Sequence, residues 1–416
     1  MKLLHTSDWH LGATLYRESR APDHDTVIAE ITDVARQVQP DLICHTGDLF
    51  DRARPGPEDI ARAGHGLRDL AAIAPVLVVC GNHDSAGLFG ALNIYTQLSG
   101  GPPRVHFVDR IRTPQDGIRH YPTRLGHTVR VAALPFQHAH QLTDAFGDPT
   151  QWGGEYNARV RRIEAALGDA LMTGFDPRTD IAVFAAHLYV GGGDYCGSER
   201  GMHVDDAYAT DLDALPTVSY AAFGHLHKPQ ALPGRHITGR YAGSPIALDF
   251  GEIHDQKSIV VVEAEPGRAS RVETVNLSAG RRLRKFRGTL EQLARTADEI
   301  TDDLCIITID TTDPVPTLTE QVRRLLPRAT LLDVHPASVG QQVDIVTGAQ
   351  AAADAEPDLP DMFAEFLAER GTRLAPAPAV HAAFTRILAA AADEREPVFP
   401  EEALLRIPGN ESEASA

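Results

Sequence analysis

The chain has 416 residues and carries 57 acidic against 39 basic side chains, which gives a formal net charge of −18. With 43% hydrophobic and 23% charged residues, it has the composition of a globular protein of two or three domains, which excludes a disordered chain. No apolar run approaches the ~18 residues of a membrane span, and the first residues lead straight into a strand-like segment without room for a signal peptide, so we expect a cytoplasmic protein. The acidic balance argues against passive coating of nucleic acid, but not against an enzyme whose bound cations supply positive charge.

The first part of the chain alternates strand-like and helical patterns. Apolar residues recur at helical spacing over 25–38, and Pro40 follows as a stop. A second helix is predicted over 57–72, with Pro57 in its first turn. Strands alternating with helices predict an α/β fold. After residue 237 the pattern changes to consecutive strands, predicted over 237–242, 257–263 and 271–276.

A smaller unit follows from about residue 281. Strands are predicted over 281–287, 304–309 and 329–334. A helix is predicted in each gap, because Thr289-x-x-Gln292 and Thr317-x-x-Glu320 match the capping box, in which two side chains satisfy free backbone donors at a helix start. The pattern is that of a compact β-α-β-α-β module.

The C-terminal part has a different composition. Residues 347–360 are rich in Ala, Asp, Glu and Pro, which predicts a linker. Two short amphipathic helices are predicted after it, over 361–370 and 378–392, followed by an acidic tail. We therefore divide the chain into residues 1–278, 279–346, 347–360 and 361–416.

Five apolar runs in the first 250 residues each end in side chains that can bind a metal. Because ligands gather outside the carboxyl ends of strands in open α/β sheets, we expect these side chains to meet. They are carboxylates, a carboxamide and imidazoles without a thiolate, which suits manganese or iron, with zinc as a further option. Singly, each segment is as readily a turn, a cap or a core histidine; five in order at strand ends indicate a metal site. The five segments are Asp8-Trp9-His10, Gly47-Asp48, Gly81-Asn82-His83-Asp84, His187 and Gly224-His225-Leu226-His227.

Six motifs in the first 260 residues carry a family resemblance. They are His5-Thr6-Ser7-Asp8-Trp9-His10-Leu11-Gly12, Gly47-Asp48-Leu49-Phe50-Asp51, Gly81-Asn82-His83-Asp84-Ser85, Gly197-Ser198-Glu199-Arg200, Gly224-His225-Leu226-His227 and Gly243-Ser244-Pro245-Ile246. They resemble the calcineurin-like metallophosphoesterases and, more specifically, the SbcD family, the nuclease subunits of bacterial SbcCD complexes. The resemblance implies layered sheets flanked by helices for a nuclease domain over 1–278. It also implies a DNA-binding capping domain over 279–346 and a partner-binding region over 361–416.

The resemblance assigns a role to each side chain of the set. It implies a first divalent cation on Asp8, His10 and His227, and a second on Asn82, His187 and His225. Asp48 would bridge the two cations, for which manganese is the expected metal. His83 would not bind metal but would act on the leaving oxygen as general acid or hydrogen-bond donor. Asp84 either orients His83 or is an ordinary turn carboxylate.

The resemblance also implies the reaction and the partners. Water activated between two cations would attack the DNA backbone phosphorus, in a 3′ to 5′ exonuclease acting on duplex ends and an endonuclease acting on single strands and hairpins. Such activity serves DNA end processing, repair, recombination and replication. The implied assembly is a homodimer of this chain within a heterotetramer, with an SbcC-type ATPase that handles ATP, since no P-loop motif is found here. Two alternatives stay open: a stand-alone metallophosphatase or cyclic-nucleotide phosphodiesterase, and a non-catalytic scaffold that tethers DNA ends.

Two further features leave alternatives open. The basic run from Arg281 to Arg287 either contacts a phosphate backbone or is a solvated strand edge that discourages aggregation. Asp51 stands where relatives outside the bacterial branch often carry histidine, which leaves the balance of exonuclease and endonuclease activity open.

Overall fold

The chain divides into two units, Met1–Gly340 and Gln341–Ala416, in the computed structural model. The residues that the structure describes are 1–98, 102–111, 113–138, 152–196, 199, 209–234, 237–311, 317–338, 363 and 377–392. The predicted linker over 347–360 lies outside the described residues, as does the acidic tail.

A six-stranded sheet carries the N-terminal strands of the first unit. Its strands are β1 (Lys2–Thr6), β4 (Leu42–His45), β5 (Val76–Val79), β6 (Val105–Val108), β13 (Ser258–Glu263) and β14 (Arg271–Asn276). They lie in the order β14-β13-β1-β4-β5-β6, and the four strands from β1 to β6 are mutually parallel. A short hairpin of β2 (Thr14–Leu15) and β3 (Glu18–Ser19) follows β1. Three of the five predicted strand-end runs are therefore neighbours in this sheet.

A second six-stranded sheet carries the other two runs. Its strands are β7 (Ile118–Pro122), β8 (Thr128–Leu134), β9 (Asp180–His187), β10 (Tyr220–Gly224), β11 (Gln230–Ala231) and β12 (Gly239–Tyr241). They lie in the order β11-β12-β10-β9-β8-β7, with β8, β9, β10 and β12 parallel. The predicted strand over 237–242 is thus the short β12, and it belongs to this sheet rather than to the one that contains β13.

The two sheets pack face to face between layers of helices. Leu42 and Leu77 point inward and share a buried core with Val183 of the second sheet, whereas Ile43 and Val78 belong to the core on the helical side. The outer face of the first sheet is covered by α1 (Ala21–Val38), α2 (Pro57–Ala71) and α3 (Ala86–Gln97). The helix α4 (Trp152–Met172) packs on the second sheet. This layering confirms the α/β prediction and explains the continuous apolar runs, because both faces of these strands are buried.

The predicted module from residue 281 is present as a three-stranded parallel sheet with two helices. Its elements are β15 (Leu283–Gly288), α5 (Leu290–Thr296), β16 (Leu304–Thr311), α6 (Leu318–Leu325) and β17 (Thr330–Ser338). The capping box at Thr289 is confirmed, because Thr289 and Gln292 exchange side-chain to backbone hydrogen bonds of 2.8 and 3.3 Å. The capping box at Thr317 is wrong: its φ of 62° is left-handed, and its side chain makes no capping hydrogen bond. A capping side chain reaches the first-turn N–H groups from an extended backbone, not from this one.

The basic run at the start of the module is largely occupied by ion pairs. Arg281 lies 2.9 Å from Asp23 of α1. Arg284 lies 2.8 Å from a carboxylate oxygen of Asp303 within the module. These arginines therefore hold the entry to the module in place, in addition to any role at the surface.

One helix of the second unit is described. The helix α7 spans Ala377–Ala392, which confirms the prediction over 378–392. Of the predicted helix over 361–370, only Phe363 lies among the described residues; its ring stacks on that of Phe384 with a centroid distance of 3.9 Å. No helix among the described residues has the length and apolar character that a membrane span requires.

Candidate metal centre

The predicted ligands all lie where strands of the two sheets end. Asp8, Asp48 and Asn82 follow β1, β4 and β5, while His187 closes β9 and His225 follows β10. The seven predicted ligands, including His10 and His227, are each at most 5% exposed. The fold thus buries a cluster of carboxylate, carboxamide and imidazole groups at one point.

One group of the cluster contains Asp8, His10 and His227. One potential ligand atom from each of the three lies within 4.8 Å of the others. Nε2 of His10 and Nε2 of His227 face each other at 3.0 Å. Two imidazole nitrogens at this distance and a nearby carboxylate form a donor set that fits a borderline divalent cation.

A second group contains Asp48, His187 and His225, whose ligand atoms also lie within 4.8 Å of one another. Asn82 joins this group through its side-chain oxygen, which lies 2.8 Å from Nε2 of His187 and 2.9 Å from Nδ1 of His225. Nδ1 of His187 lies 2.8 Å from the main-chain oxygen of Thr46. Since a carbonyl oxygen only accepts, Nδ1 carries a proton, and Nε2 is the nitrogen that would bind a cation.

The carboxylate of Asp48 lies between the two groups. Its Oδ2 atom is 3.6 Å from Nε2 of His10 and 3.4 Å from Nε2 of His187. Its Oδ1 atom accepts a hydrogen bond of 2.8 Å from the main-chain N–H of His83. One oxygen is therefore fixed by the backbone while the other faces both groups.

The backbone at four of these positions is left-handed. The φ angles are 52° at Asp8, 48° at His10, 51° at Asp48 and 104° at His225. Residues other than glycine enter this region at a cost of about 1–3 kcal/mol each, and only where the surroundings impose it. Here the main-chain N–H of His225 donates to both carboxylate oxygens of Asp8, at 3.1 and 3.3 Å. These contacts hold the turns in the conformation that directs the side chains inward.

Glycines allow the ligand-bearing turns to approach each other. A Cβ atom on Gly47 would lie 2.1 Å from Nδ1 of His187, and a Cβ atom on Gly81 would lie 2.1 Å from Oδ1 of Asp48. Gly47 also has a φ of 101°, which favours glycine. The glycines of the Gly-Asp and Gly-Asn-His-Asp segments are therefore required by close packing.

Burial and mutual charge strongly perturb the titration of the cluster. Burial raises the pKa of the Asp8 carboxyl. Burial would also raise the pKa of Asp48, but the charges of His187 and His83 outweigh it and hold that pKa well below its usual range. Burial would lower the pKa of His187, but the Asp48 and Asp8 carboxylates outweigh it and raise the value to about 9. Binding of cations must therefore release protons from the imidazoles.

The structure places His83 beside both the cluster and the Asp51 turn. Nδ1 of His83 lies 2.8 Å from the main-chain oxygen of Asp51, so this nitrogen carries a proton. The ring also packs edge to face on His10, with centroids 4.7 Å apart. A nitrogen of His83 lies within 4.8 Å of ligand atoms of His10 and Asp48.

Asp84 acts on the backbone of the neighbouring turn. Its carboxylate accepts hydrogen bonds from the main-chain N–H groups of Leu49, Phe50 and Gly81, at 3.2, 3.0 and 2.9 Å. Burial, followed by the charge of Asp48, raises its pKa to about 7. Asp84 thus joins the turn after β5 to the turn after β4. Of the two roles that the sequence leaves open for it, these contacts fit the turn carboxylate.

Three residues with polar contacts to His227 received no role from the sequence. Glu199 accepts from the main-chain N–H of His227 at 2.9 Å, Glu252 lies 3.4 Å from its Nδ1, and Lys257 donates to its main-chain oxygen at 3.0 Å. Glu199 belongs to the motif 197–200, one of the six that carry the family resemblance, so the sequence could have indicated a role for it. The other residues of that motif lie outside the described part. Glu252 and Lys257 carried no such signal.

Comparison with known proteins identifies the family. The family model for calcineurin-like phosphoesterases matches residues 1–229. The SbcD component of the SbcCD nuclease of Bacillus subtilis strain 168 is 30% identical over 294 residues, which are 69% of this chain and 72% of that relative. The SbcD components of Staphylococcus epidermidis and Rhodobacter capsulatus are 25% identical over 305 residues and 29% identical over 289 residues. These matches cover 70% and 65% of this chain, and 74% and 68% of the relatives. The chain therefore belongs to the calcineurin-like phosphoesterases and, within them, to the SbcD nucleases, which makes it a metal-dependent phosphodiesterase.

Proposed function

We propose that this chain is the nuclease subunit of an SbcCD-type complex in the cytoplasm and that it cleaves DNA with two divalent cations, preferably Mn²⁺. The position of Asp48 supports this proposal best, because one carboxylate oxygen faces imidazoles of both groups at 3.4 and 3.6 Å. Asp8, His10 and His227 would hold the first cation. Asn82, His187 and His225 would hold the second, with Asp48 shared.

The charges of the site favour a phosphodiester substrate. When bound, the pair of cations lowers the pKa of water and neutralises phosphate oxygens. The carboxylates of Asp8 and Asp48 compensate only part of the cationic charge, which leaves about +2 where the phosphate would lie, with the imidazoles neutral. This local charge is compatible with the net charge of −18 of the whole chain.

His83 is proposed to act on the leaving oxygen of the sugar. Its Nδ1–H is directed to the main-chain oxygen of Asp51. With Nδ1–H directed there, we assign the donated proton or hydrogen bond to Nε2–H of the imidazolium form, as the phosphorus–oxygen bond breaks. A positioned group of this kind accelerates a reaction by about 10²–10⁴-fold.

The proposed substrates and partners follow the family. We propose 3′ to 5′ cleavage of duplex ends and endonuclease cleavage of single strands and hairpins, in DNA end processing, repair and recombination. An SbcC-type ATPase would bind residues 361–416, and the module within 279–346 would act as a DNA-binding capping domain.

A homodimer is proposed through α3. Ile94, Tyr95 and Leu98 lie close together at its C-terminal end and are 65%, 68% and 72% exposed. Large apolar side chains grouped at a surface are typical of an interface. Replacing both Ile94 and Leu98 with glutamate should convert a dimer to a monomer in light-scattering measurements. An unchanged mass would contradict this interface.

A cleavage assay tests the nuclease proposal. The full chain is incubated with MnCl₂ and either linear duplex DNA, hairpin DNA or a small phosphomonoester, with and without the ATPase. DNA should be cleaved faster than the phosphomonoester, and His83→Ala should lose about 10²–10⁴-fold of the cleavage rate. The control is His65→Ala, at an exposed position of α2, which should keep full activity.

Two results would redirect the proposal. Faster turnover of the phosphomonoester than of DNA would indicate a stand-alone phosphatase. DNA processing that is unchanged in His83→Ala would indicate a scaffold, or a reaction that does not use this histidine.

A further inference from the structure

We propose that Glu252 and Lys257 form a positioning pair that fixes the orientation of His227 in the candidate metal centre. The inference rests on the proposed function, in which His227 holds a cation. Oε1 of Glu252 lies 3.4 Å from Nδ1 of His227. Oε2 of Glu252 lies 2.5 Å from Nζ of Lys257. Glu252 and Lys257 are 1% and 7% exposed, so the contacts are shielded from water.

Neighbouring polar side chains contact both the main chain and the ring of His227. Its main-chain N–H donates to Glu199 at 2.9 Å, and its main-chain oxygen accepts from Nζ of Lys257 at 3.0 Å. Its Nδ1 faces Glu252, and its Nε2 faces Nε2 of His10 at 3.0 Å. The two main-chain contacts fix the backbone of His227, and the contact between Nδ1 and Glu252 orients its ring towards the first group.

A carboxylate behind Nδ1 also selects the form of the imidazole that binds metal. Carboxylate oxygens accept, so Nδ1 carries the proton and the lone pair lies on Nε2. His187 achieves the same with the neutral main-chain oxygen of Thr46 at 2.8 Å. The charged partner increases the basicity of His227 beyond what a carbonyl provides. Nζ of Lys257 lies against Oε2 of Glu252, and this ion pair keeps the partner of His227 in its charged form.

Lys257 neutralises the buried carboxylate of Glu252, and this preserves the positive charge of the candidate metal centre. An unpaired buried carboxylate is strongly disfavoured and would also cancel cationic charge next to the phosphate. Nζ of Lys257 neutralises it and donates in addition to Oγ of Ser244 at 2.9 Å. The pair therefore orients His227 without a net charge.

The same contacts give a physical role to the motif Gly243-Ser244-Pro245-Ile246. The main-chain N–H of Ser244 donates to the main-chain oxygen of His227 at 3.1 Å. Gly243 has a φ of 77°, and a Cβ atom there would lie 2.7 Å from that oxygen. The turn brings Ser244 and Lys257 to the same carbonyl, so the motif supports the proposed pair.

Titration with MnCl₂ by calorimetry, on the full chain, tests the inference. The wild type should bind two equivalents. Glu252→Gln keeps the shape and an acceptor but removes the charge, and it should weaken the binding of one equivalent by about 10–100-fold while the other is unchanged. The double variant Glu252→Gln with Lys257→Met removes both charges, so its loss should be smaller than that of Glu252→Gln alone, which leaves a buried cation unpaired.

A second ion pair provides the matched control. Arg130 and Asp180 lie 3.4 Å apart with side chains 6% and 13% exposed, and Arg130 also donates to the main-chain oxygen of Thr173. Asp180→Asn should lower the melting temperature and leave both Mn²⁺ affinities unchanged. In Glu252→Gln, by contrast, kcat on duplex DNA should fall with little change in KM.

The outcomes separate this inference from the proposed function. Unchanged Mn²⁺ affinities in Glu252→Gln would overturn the positioning role and leave the two-cation nuclease intact. A change limited to melting temperature, as expected for Asp180→Asn, would show a merely structural pair and overturn it as well. A wild type that binds no Mn²⁺ would instead overturn the proposed function.

Discussion

Replacing Gly81 with alanine tests the close approach on which the candidate metal centre depends. A Cβ atom at Gly81 would lie 2.1 Å from Oδ1 and 2.3 Å from the main-chain nitrogen of Asp48. Real Cβ atoms do not approach other atoms within 3.0 Å, and a backbone nitrogen cannot rotate away as the end of a long side chain can. The turn that carries Asp48 must therefore shift by about 1 Å in a close-packed interior.

The structure sets the size of the expected effect. Oδ2 of Asp48 faces both candidate metal groups, so a shift of this carboxylate misaligns both at once. A displacement of about 1 Å in a catalytic site lowers activity by about 10²-fold, and overpacking lowers the free energy of unfolding by about 1–3 kcal/mol. We expect Gly81→Ala to show both losses.

Mn²⁺-dependent cleavage of duplex DNA and unfolding in urea measure the two effects. Gly64→Ala is the control, because Gly64 is exposed in α2 and a Cβ atom there would meet nothing within 4 Å. It should keep full activity and gain about 0.5–1 kcal/mol of stability, as alanine restricts the unfolded chain more than glycine does. Wild-type activity and Mn²⁺ binding in Gly81→Ala would refute the reasoning.

Three further predictions concern metal content, pH and assembly. Asp48→Ala should lose both cations in elemental analysis, whereas His83→Ala should keep both and lose cleavage; two cations retained in Asp48→Ala would contradict a shared carboxylate. Burial raises the pKa of Glu164 from 4.5 to about 8, so the folded chain holds a proton that the unfolded chain releases, and stability should fall as pH rises through this window. Glu164→Gln should remove that fall in melting temperature between pH 5 and pH 8, and an equal fall in both proteins would disprove it. Deleting residues 361–416 should abolish co-purification with the ATPase but leave metal-dependent nuclease activity, and a surviving complex would exclude the docking role.

The parts of the fold that were predictable are those in which burial dictates residue type. Strands covered on both faces need apolar side chains at every position, so runs such as 76–80 and 181–186 stand out without alternation. The structure has strands at Val76–Val79 and Asp180–His187. The first residue of a helix was harder to predict. The helix α1 begins at Ala21 instead of the predicted residue 25. Pro22 fits the first turn of the helix, because the main-chain N–H groups there need no partner within the helix.

The supporting residues of the site were not predictable from local sequence. Glu252 and Lys257 lie in a segment without helical or strand periodicity that ends as β13 begins, and nothing in their spacing indicates a partner. Their contact with His227 depends on the tertiary fold, in which Lys257 and Ser244 meet at the main-chain oxygen of His227 and Glu252 lies beside its Nδ1. At Thr317 the local sequence was misleading. Thr317-x-x-Glu320 matches a capping box, but the backbone of Thr317 is in the left-handed conformation.

The two interpretations of each strand-end carboxylate, as a turn-forming residue or as a metal ligand, are not alternatives in the folded chain. Asp8 accepts from the main-chain N–H of His225, and Asp48 accepts through Oδ1 from that of His83. Both residues are in the left-handed region, and each hydrogen bond joins the turn to a residue that is distant in sequence. A carboxylate has about four lone-pair sites, so holding a turn leaves others for a cation. The same oxygen atoms that join one strand end to the next therefore bring the ligands together, and a sequence motif that encodes the turn also encodes the site.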